Sequence, residues 1–153
     1  MSSIILSLFI SFSAFAGSGS ATMPFWIKSA DSDFYTNISI TNIGSETDTV
    51  YVSLYDKDGN AYTESSEVGT NISIEHNFVG DPLSSNGATL AASKTGAVRI
   101  TAVGPMVFGY MVIEWVSNGK NTKSLIGFVD QVKLQTGEQA MSNIMLINGG
   151  QPF

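Results

Sequence analysis

The stretch Ala97–Trp115, AVRITAVGPMVFGYMVIEW, constrains the fold most, because it is the most apolar segment after residue 16. Its first half, Val98–Thr101, alternates apolar and polar residues, the period of two of a strand with one buried face. In its second half apolar residues fall on both faces. We therefore predict two neighbouring strands turned at Gly104-Pro105, the second being a central strand covered on both sides.

Other runs of strand-like composition lie between turn-forming segments. They are Pro24–Ile27, Phe34–Ile43, Thr49–Tyr55, Asn71–Phe78, Thr122–Leu134 and Met141–Ile147. We expect Ile38 and Ile40 in the second run, and Val50, Val52 and Leu54 in the third, to face the core, with these two runs forming a hairpin. No segment has a clear helical period. The pattern predicts an all-β fold, an antiparallel β-sandwich of about eight or nine strands with immunoglobulin-like or jelly-roll topology.

Composition limits the chemistry of the chain. With 153 residues it has the length of one domain. Only 13% of the residues are charged, and the net charge of -6 excludes a nucleic-acid surface, which needs clustered Lys and Arg. Cysteine is absent, which excludes disulfides, thiol nucleophiles and thiolate metal sites. We predict no cofactor and no metal.

The N-terminus carries an apolar run, residues 4–16, that ends in Ala14-Phe15-Ala16. Small residues at these positions are typical of a signal peptide cleaved after Ala16, although no basic residue precedes the run. We predict a signal peptide at 1–16, a flexible linker at 17–23 and one β-sandwich domain at 24–153. The run is too short for a permanent membrane anchor. Alternatively, the segment is retained and adds as a strand to a neighbouring subunit. A cleaved signal peptide implies that the protein is secreted or located at the cell surface.

A ligand-binding surface is predicted around the third strand. Tyr51 and Tyr55 lie on the face opposite its core residues, where exposed aromatic rings suit the apolar faces of sugars. The following turn offers Asp56, Asp58 and Asn60, whose side chains bind hydroxyl groups. These three residues also alternate like the start of a calcium loop. The glycine of such loops is misplaced here, however, so we favour a plain hairpin turn.

Catalytic signals are weak. His76, the single histidine, lies on an apolar strand face with Ile74 and Phe78, and we predict a partly buried structural histidine. No nucleophile motif of the G-x-S-x-G type is present. Glu114 in the central strand either faces solvent or pairs with a cation such as Arg99 on the neighbouring strand, and we favour this pair over a site carboxylate. The protein is therefore predicted not to be an enzyme.

Three segments carry a resemblance to known proteins. FYTNISITNIGSETDTVYVSLYDKDGN, GYMVIEW and the terminal INGGQPF resemble segments of uncharacterised exported bacterial β-sandwich proteins. The hairpin layout is more loosely similar to the sensory-rhodopsin-transducer-like sandwiches, which implies an oligomeric binding module. The resemblance concerns fold and compartment, and implies no catalytic residue.

The sequence favours a non-enzymatic exported structural or interaction module that self-associates into a surface assembly or extracellular filament. Strands apolar on both faces and few charges indicate partners that are further copies of the chain. The alternative is a carbohydrate- or small-ligand-binding domain whose partner is a glycan. The predicted interface residues are Phe25, Trp26, Tyr110, Trp115 and Phe153.

Overall fold

A computed structural model of the chain describes residues 17–29, 34–63, 71–101, 106–120, 122–133 and 141–153. Within these ranges eleven strands build two antiparallel sheets packed face to face, which confirms the predicted all-β sandwich. The strands are β1 (Gly17–Lys28), β2 (Phe34–Asn42), β3 (Asp48–Asp56), β4 (Ala61–Tyr62), β5 (Asn71–Glu75), β6 (Phe78–Gly80), β7 (Ala88–Leu90), β8 (Thr95–Thr101), β9 (Val107–Ser117), β10 (Leu125–Lys133) and β11 (Met141–Leu146). In this part of the chain, no helix has the length and apolar character needed to cross a membrane.

The strands divide between the two sheets in an interleaved order. Sheet A has the order β1-β9-β3-β7-β6, with β4 also paired to β3, and sheet B has the order β11-β10-β2-β8-β5. Three pairs of consecutive strands are neighbours in one sheet: β3 and β4, β6 and β7, and β10 and β11. All other consecutive strands lie in opposite sheets. The short strands β4, β6 and β7 raise the number of strands above the eight or nine predicted.

Alternation places the core residues where the sequence predicts them. In β2 the buried residues include Ile38 and Ile40, and in β3 they include Val50, Val52 and Leu54. Side chains two residues apart share one face of a strand, so each sheet turns one apolar face to the other. Among the residues that the structure describes, these inward faces form one hydrophobic core between sheets A and B.

The predicted central hairpin does not form. β8 lies in sheet B between β2 and β5, whereas β9 lies in sheet A between β1 and β3. The predicted turn at Gly104-Pro105 lies outside the described residues. The hairpin predicted from β2 to β3 is wrong for the same reason, because those strands also belong to different sheets. A period of two identifies the buried face of a strand, but strands on either side of one core have the same pattern.

The predicted flexible linker at 17–23 is the first half of β1. It pairs with β9 from Gly17 opposite Ser117 to Met23 opposite Met111. Small residues are required here by packing, since a Cβ on Gly19 would lie 2.6 Å from the indole nitrogen of Trp115. The Gly-Ser composition therefore permits close contact with a large ring, and does not make a linker.

A bulge interrupts β1 between Met23 and Trp26. Two residues, Pro24 and Phe25, lie opposite Tyr110 alone. A proline fits this position because an edge strand at a bulge needs no N–H there for the ladder. The extra residue reverses the alternation, so Trp26 enters the core with no exposed surface, while Phe25 is only partly buried.

The predicted strand Asn71–Phe78 is two strands. β5 ends at Glu75 in sheet B and β6 begins at Phe78 in sheet A. His76, between them, has a positive φ of 58° and is exposed, so the prediction of a partly buried histidine is wrong. The chain leaves one sheet for the other at this point, and alternation does not continue through such a turn.

Candidate binding surfaces

Two tyrosines on neighbouring strands form a stacked pair on the outer face of sheet A. Tyr55 of β3 lies opposite Tyr110 of β9 in the register. Their ring centroids are 4.8 Å apart and the ring planes differ by 9°. The structure therefore brings together one predicted ligand residue and one predicted interface residue.

The pair continues into a longer aromatic row. Phe108 lies two residues before Tyr110 in β9, and its ring centroid is 6.2 Å from that of Phe25 in β1. We call Phe25, Phe108, Tyr110 and Tyr55 the aromatic row. Phe108 and Tyr110 are 39% and 36% exposed. Phe108 is not among the residues predicted from the sequence, although alternation places it on the non-core face of β9.

The main chain beneath the row is held from inside the sandwich. The indole N–H of Trp26 donates to the main-chain oxygens of Tyr55 and Tyr110, at 2.9 and 3.0 Å. Gly109 lies beside both, and a Cβ there would overlap the main-chain oxygen of Tyr55. The close approach of β3 and β9 under the stacked rings therefore requires glycine at this position.

The turn after β3 is closed by its own carboxylate. Asp56 Oδ1 accepts hydrogen bonds from the main-chain N–H groups of Asp58 and Asn60, and its Oδ2 accepts one from the Asn60 amide. These bonds, first those from Asn60, lower the pKa of Asp56. Both carboxylate oxygens therefore have partners within the turn, as expected of a plain hairpin turn.

Within this turn, Lys57 and Asp58 form an ion pair with more than half of each side chain exposed. The hydrogen bond and charge of Asp58 raise the pKa of Lys57. Exposed pairs of this kind contribute little to stability. Because the fold depends little on this pair, both side chains can contact a ligand.

A cleft of about 400 Å³ lies between this turn and the start of β9. One wall is formed by residues 56–58 and 60–62, and the other by Met106, Val107 and Phe108. The cleft thus joins the predicted polar residues Asp56, Asp58 and Asn60 to the aromatic row through Phe108. An apolar wall opposite a few polar groups is typical of small-molecule sites.

Tyr51 lies apart from this cleft. It lines a separate cleft of about 470 Å³ with Glu114, Trp115 and residues of β1. In the register Glu114 lies between Tyr51 and Ser20. The predicted Glu114–Arg99 pair is wrong, because Arg99 belongs to sheet B.

The guanidinium of Arg99 is engaged within sheet B, where its Nε donates to Asn37 Oδ1 at 2.9 Å. Arg99 lines a shallow cleft of about 260 Å³ with His76, Asp130 and Ser39. The Asp130 carboxylate accepts a hydrogen bond from Ser142 at 2.8 Å. Arg99 and Asp130 thus both have hydrogen-bond partners within this sheet.

Three of the predicted interface residues belong to the core. Trp26, Trp115 and Phe153 are all buried, with at most 5% of any side chain exposed. Their large apolar area fills the space between the sheets, so it is not available to another molecule. Phe25 and Tyr110 remain at the surface, within the aromatic row.

A second apolar surface lies on the outer face of sheet B and was missed by the sequence analysis. Ile144 and Leu146 of β11 are 60% and 58% exposed, and Phe128 of β10 lies opposite Leu146. We call these three residues the aliphatic edge. Their signal in the sequence is that two of the three non-core positions of β11 are apolar, Ile144 and Leu146, the third being Ser142.

Among the residues that the structure describes, no three His, Asp or Glu side chains lie close enough together to hold a metal ion. No protein family matches the chain, and neither the curated proteins nor the solved structures include a match. The resemblance to exported bacterial sandwiches and to sensory-rhodopsin-transducer-like sandwiches stays a prediction. Function is therefore inferred from this chain's own geometry.

Proposed function

We propose that the protein is a non-enzymatic exported structural module that self-associates through β11. The observation that carries the proposal is the aliphatic edge, Phe128, Ile144 and Leu146, at the margin of sheet B. Leu146 and Phe128 are neighbours across the strand pair, so their exposed surfaces are continuous. Burying a Leu or Ile side chain is worth about 1.5–3 kcal/mol, a strong drive for association.

The main chain of β11 supports the same contact. Among the described residues β11 pairs with β10 on one side, and its other side is the margin of sheet B. Natural edge strands are usually protected by charges, prolines or bulges. The sequence of β11, MSNIML, has no charge and no proline. A second copy would satisfy the free main-chain groups and cover the aliphatic edge at once.

Symmetry decides the size of the assembly. Pairing of β11 with β11 of another copy closes a dimer, because both copies use the same surface. Pairing of β11 with β5, the opposite margin of sheet B, repeats from copy to copy and extends into a filament. Both arrangements continue sheet B across the contact.

Export is part of the proposal and is supported by the signal-like residues 1–16. The low charge content suits a surface solvated by hydroxyl and amide groups. A cell-surface or secreted assembly is the location that follows.

Sedimentation velocity of the purified protein over a wide concentration range tests self-association. We expect a concentration-dependent oligomer in the wild type, with electron microscopy distinguishing a dimer from a filament. Ile144→Lys should weaken association at least tenfold, because it places a charge in the contact. Val79→Lys is the matched control, since Val79 is 74% exposed on β6 of sheet A. A wild type that is monomeric at every concentration would refute the proposal.

A further inference from the structure

We propose that the cleft between the turn at residues 56–60 and the start of β9 binds a neutral carbohydrate chain. This site lies on sheet A and is separate from the aliphatic edge on sheet B, so the inference goes beyond self-association. Its volume of about 400 Å³ falls within the range of small-ligand sites. Phe108 contributes to both the cleft and the aromatic row, and therefore lies at the centre of the proposed site.

Exposed rings provide the apolar contact. Phe108 is 39% exposed on the outer face of sheet A and continues toward Phe25 in the neighbouring strand. The C–H face of a pyranose ring packs on such an aromatic face while its hydroxyls point away. On the other side of Phe108 the stacked tyrosines add two further rings, so the surface extends over β1, β9 and β3.

The rings are held in place before any ligand arrives. Tyr55 and Tyr110 restrict each other by stacking, and their main chains share the N–H of Trp26. These two tyrosines therefore have little side-chain or backbone entropy left to lose on binding. Preorganisation of this kind raises affinity by lowering the cost of ordering the site.

The polar wall suits hydroxyl groups. Lys57 supplies donors and Asp58 supplies acceptors, and both are exposed at the cleft. Their charges cancel as an ion pair, and the Asp56 carboxylate already accepts three hydrogen bonds within the turn. Asp56 leaves this wall with one net negative charge, which disfavours an acidic ligand. Both carboxylates already have partners, so neither is free to bind a basic group, and an uncharged polyhydroxylated ligand suits the wall best.

The character of the face distinguishes a sugar from a second copy of the chain. Next to the aromatic row, beyond Tyr110, the outer face of sheet A carries the hydroxyl side chains of Thr22 in β1 and Ser53 in β3, on either side of Val112. The aliphatic edge of sheet B has instead two strongly exposed aliphatic residues, Ile144 and Leu146, beside one ring, Phe128. Aromatic rings next to hydroxyls suit a ligand that is apolar on its faces and polar at its margins.

Isothermal titration calorimetry with cellohexaose, xylohexaose, mannohexaose and the acidic hexagalacturonate tests the inference. We expect at least one neutral hexasaccharide to bind, with hexagalacturonate binding more weakly. Phe108→Ala should weaken that binding at least tenfold and Asp58→Ala several-fold. Val116→Ala should leave it unchanged, because Val116 is exposed on the same strand and face but outside the cleft.

A measurement on the wild type guards against misfolded variants. Amide chemical shifts of residues 56–62 and 106–110 should change on addition of the same hexasaccharide, and those of β11 should not. The inference is overturned if no neutral hexasaccharide binds, if hexagalacturonate binds most tightly, or if the shift changes lie elsewhere. Ile144→Lys should retain sugar binding while losing self-association, so the two proposals fail independently.

Discussion

Trp115 donates its indole N–H to the main-chain oxygen of Phe153 over 2.9 Å. The main chain of Phe153 also exchanges two hydrogen bonds with Leu125, at 3.0 and 3.2 Å. Trp115 belongs to sheet A and Leu125 to sheet B, so Phe153 joins the two sheets at one end of the core. Trp115 and Phe153 are among the predicted interface residues, but because they are buried between the sheets their role is structural.

We expect Phe153→Ala to lower the free energy of unfolding by about 3 kcal/mol, because truncating a buried Phe leaves a cavity. Urea unfolding followed by circular dichroism measures the change. Gln151→Ala is the control, since Gln151 is exposed and its loss should change stability by less than about 0.5 kcal/mol. A loss below about 1 kcal/mol in Phe153→Ala would contradict the buried position.

Gly109→Ala should destabilise the protein by about 3 kcal/mol, since its Cβ would overlap the main chain of Tyr55 and force β3 and β9 apart. Gly59→Ala provides the comparison. Gly59 has a positive φ of 84°, but a Cβ at this position would meet no atom within 4 Å, so only about 1–2 kcal/mol of backbone strain is expected. Thermal unfolding should show a larger loss of stability in Gly109→Ala than in Gly59→Ala. Equal losses of stability would argue against the close approach of β3 and β9.

Deletion of Pro24 should abolish the native fold, because it removes the bulge and directs Trp26 away from the core. Pro24→Ala keeps the number of residues and should cost less than about 1 kcal/mol. Tryptophan fluorescence reports the difference, with a red-shifted emission expected in the deletion alone. A deletion variant as stable as the wild type would show that the register is not fixed by the bulge.

Asp48, at the start of β3, makes the stability of the protein depend on pH. Its carboxylate is 1% exposed, and neither oxygen has a well-formed hydrogen bond among the described residues. Burial raises the pKa of Asp48 above its ordinary value of 3.8, although the nearby Ser117 and Ser124 hydroxyls favour the ionised form. The folded protein therefore binds this proton more tightly than the unfolded chain does. Its free energy of unfolding should fall as pH rises from about 3.8 through the folded pKa.

Asp48→Asn should remove this fall and be more stable than the wild type above the folded pKa, with the difference shrinking below pH 3.8. Urea unfolding at a series of pH values checks the result. Ser124→Ala is the comparison, because loss of a hydroxyl that favours the ionised form should steepen the fall. If the free energy of unfolding changes with pH in the same way in Asp48→Asn and the wild type, Asp48 is not the source of the pH dependence.

The exported protein should begin at Gly17. Cleavage after Ala16 makes Gly17 the N-terminal residue. Its main-chain nitrogen donates to the Gly119 oxygen at 2.7 Å, a bond that a new N-terminal amine retains. Intact-mass spectrometry of protein recovered after export measures the start. Ala16→Gln should block cleavage, because the peptidase needs a small residue there, whereas Ser13→Ala should not. A mass that includes residues 1–16 in the wild type would overturn the predicted signal peptide.

The inward faces of β2 and β3 are predictable from the sequence because a half-buried strand requires apolar residues at every second position. Ile38, Ile40 and Val52 are buried as expected. The polar turn at Asp56–Asn60 is equally local, since an Asp side chain closes such a turn through its own neighbours. Tyr55 and this turn, which both belong to the predicted ligand site, lie together, whereas Tyr51 lines a separate cleft.

Chain order and alternation thus establish an all-β sandwich, its turns and most of its core. They do not assign a strand to a sheet, and only packing decides that β8 and β9 lie on opposite sides of the core. Packing also determines the bulge that buries Trp26 and leaves Phe25 in the aromatic row. The physical reason is that local patterns report how one residue faces its neighbours, while sheet membership depends on contacts between residues far apart in the chain.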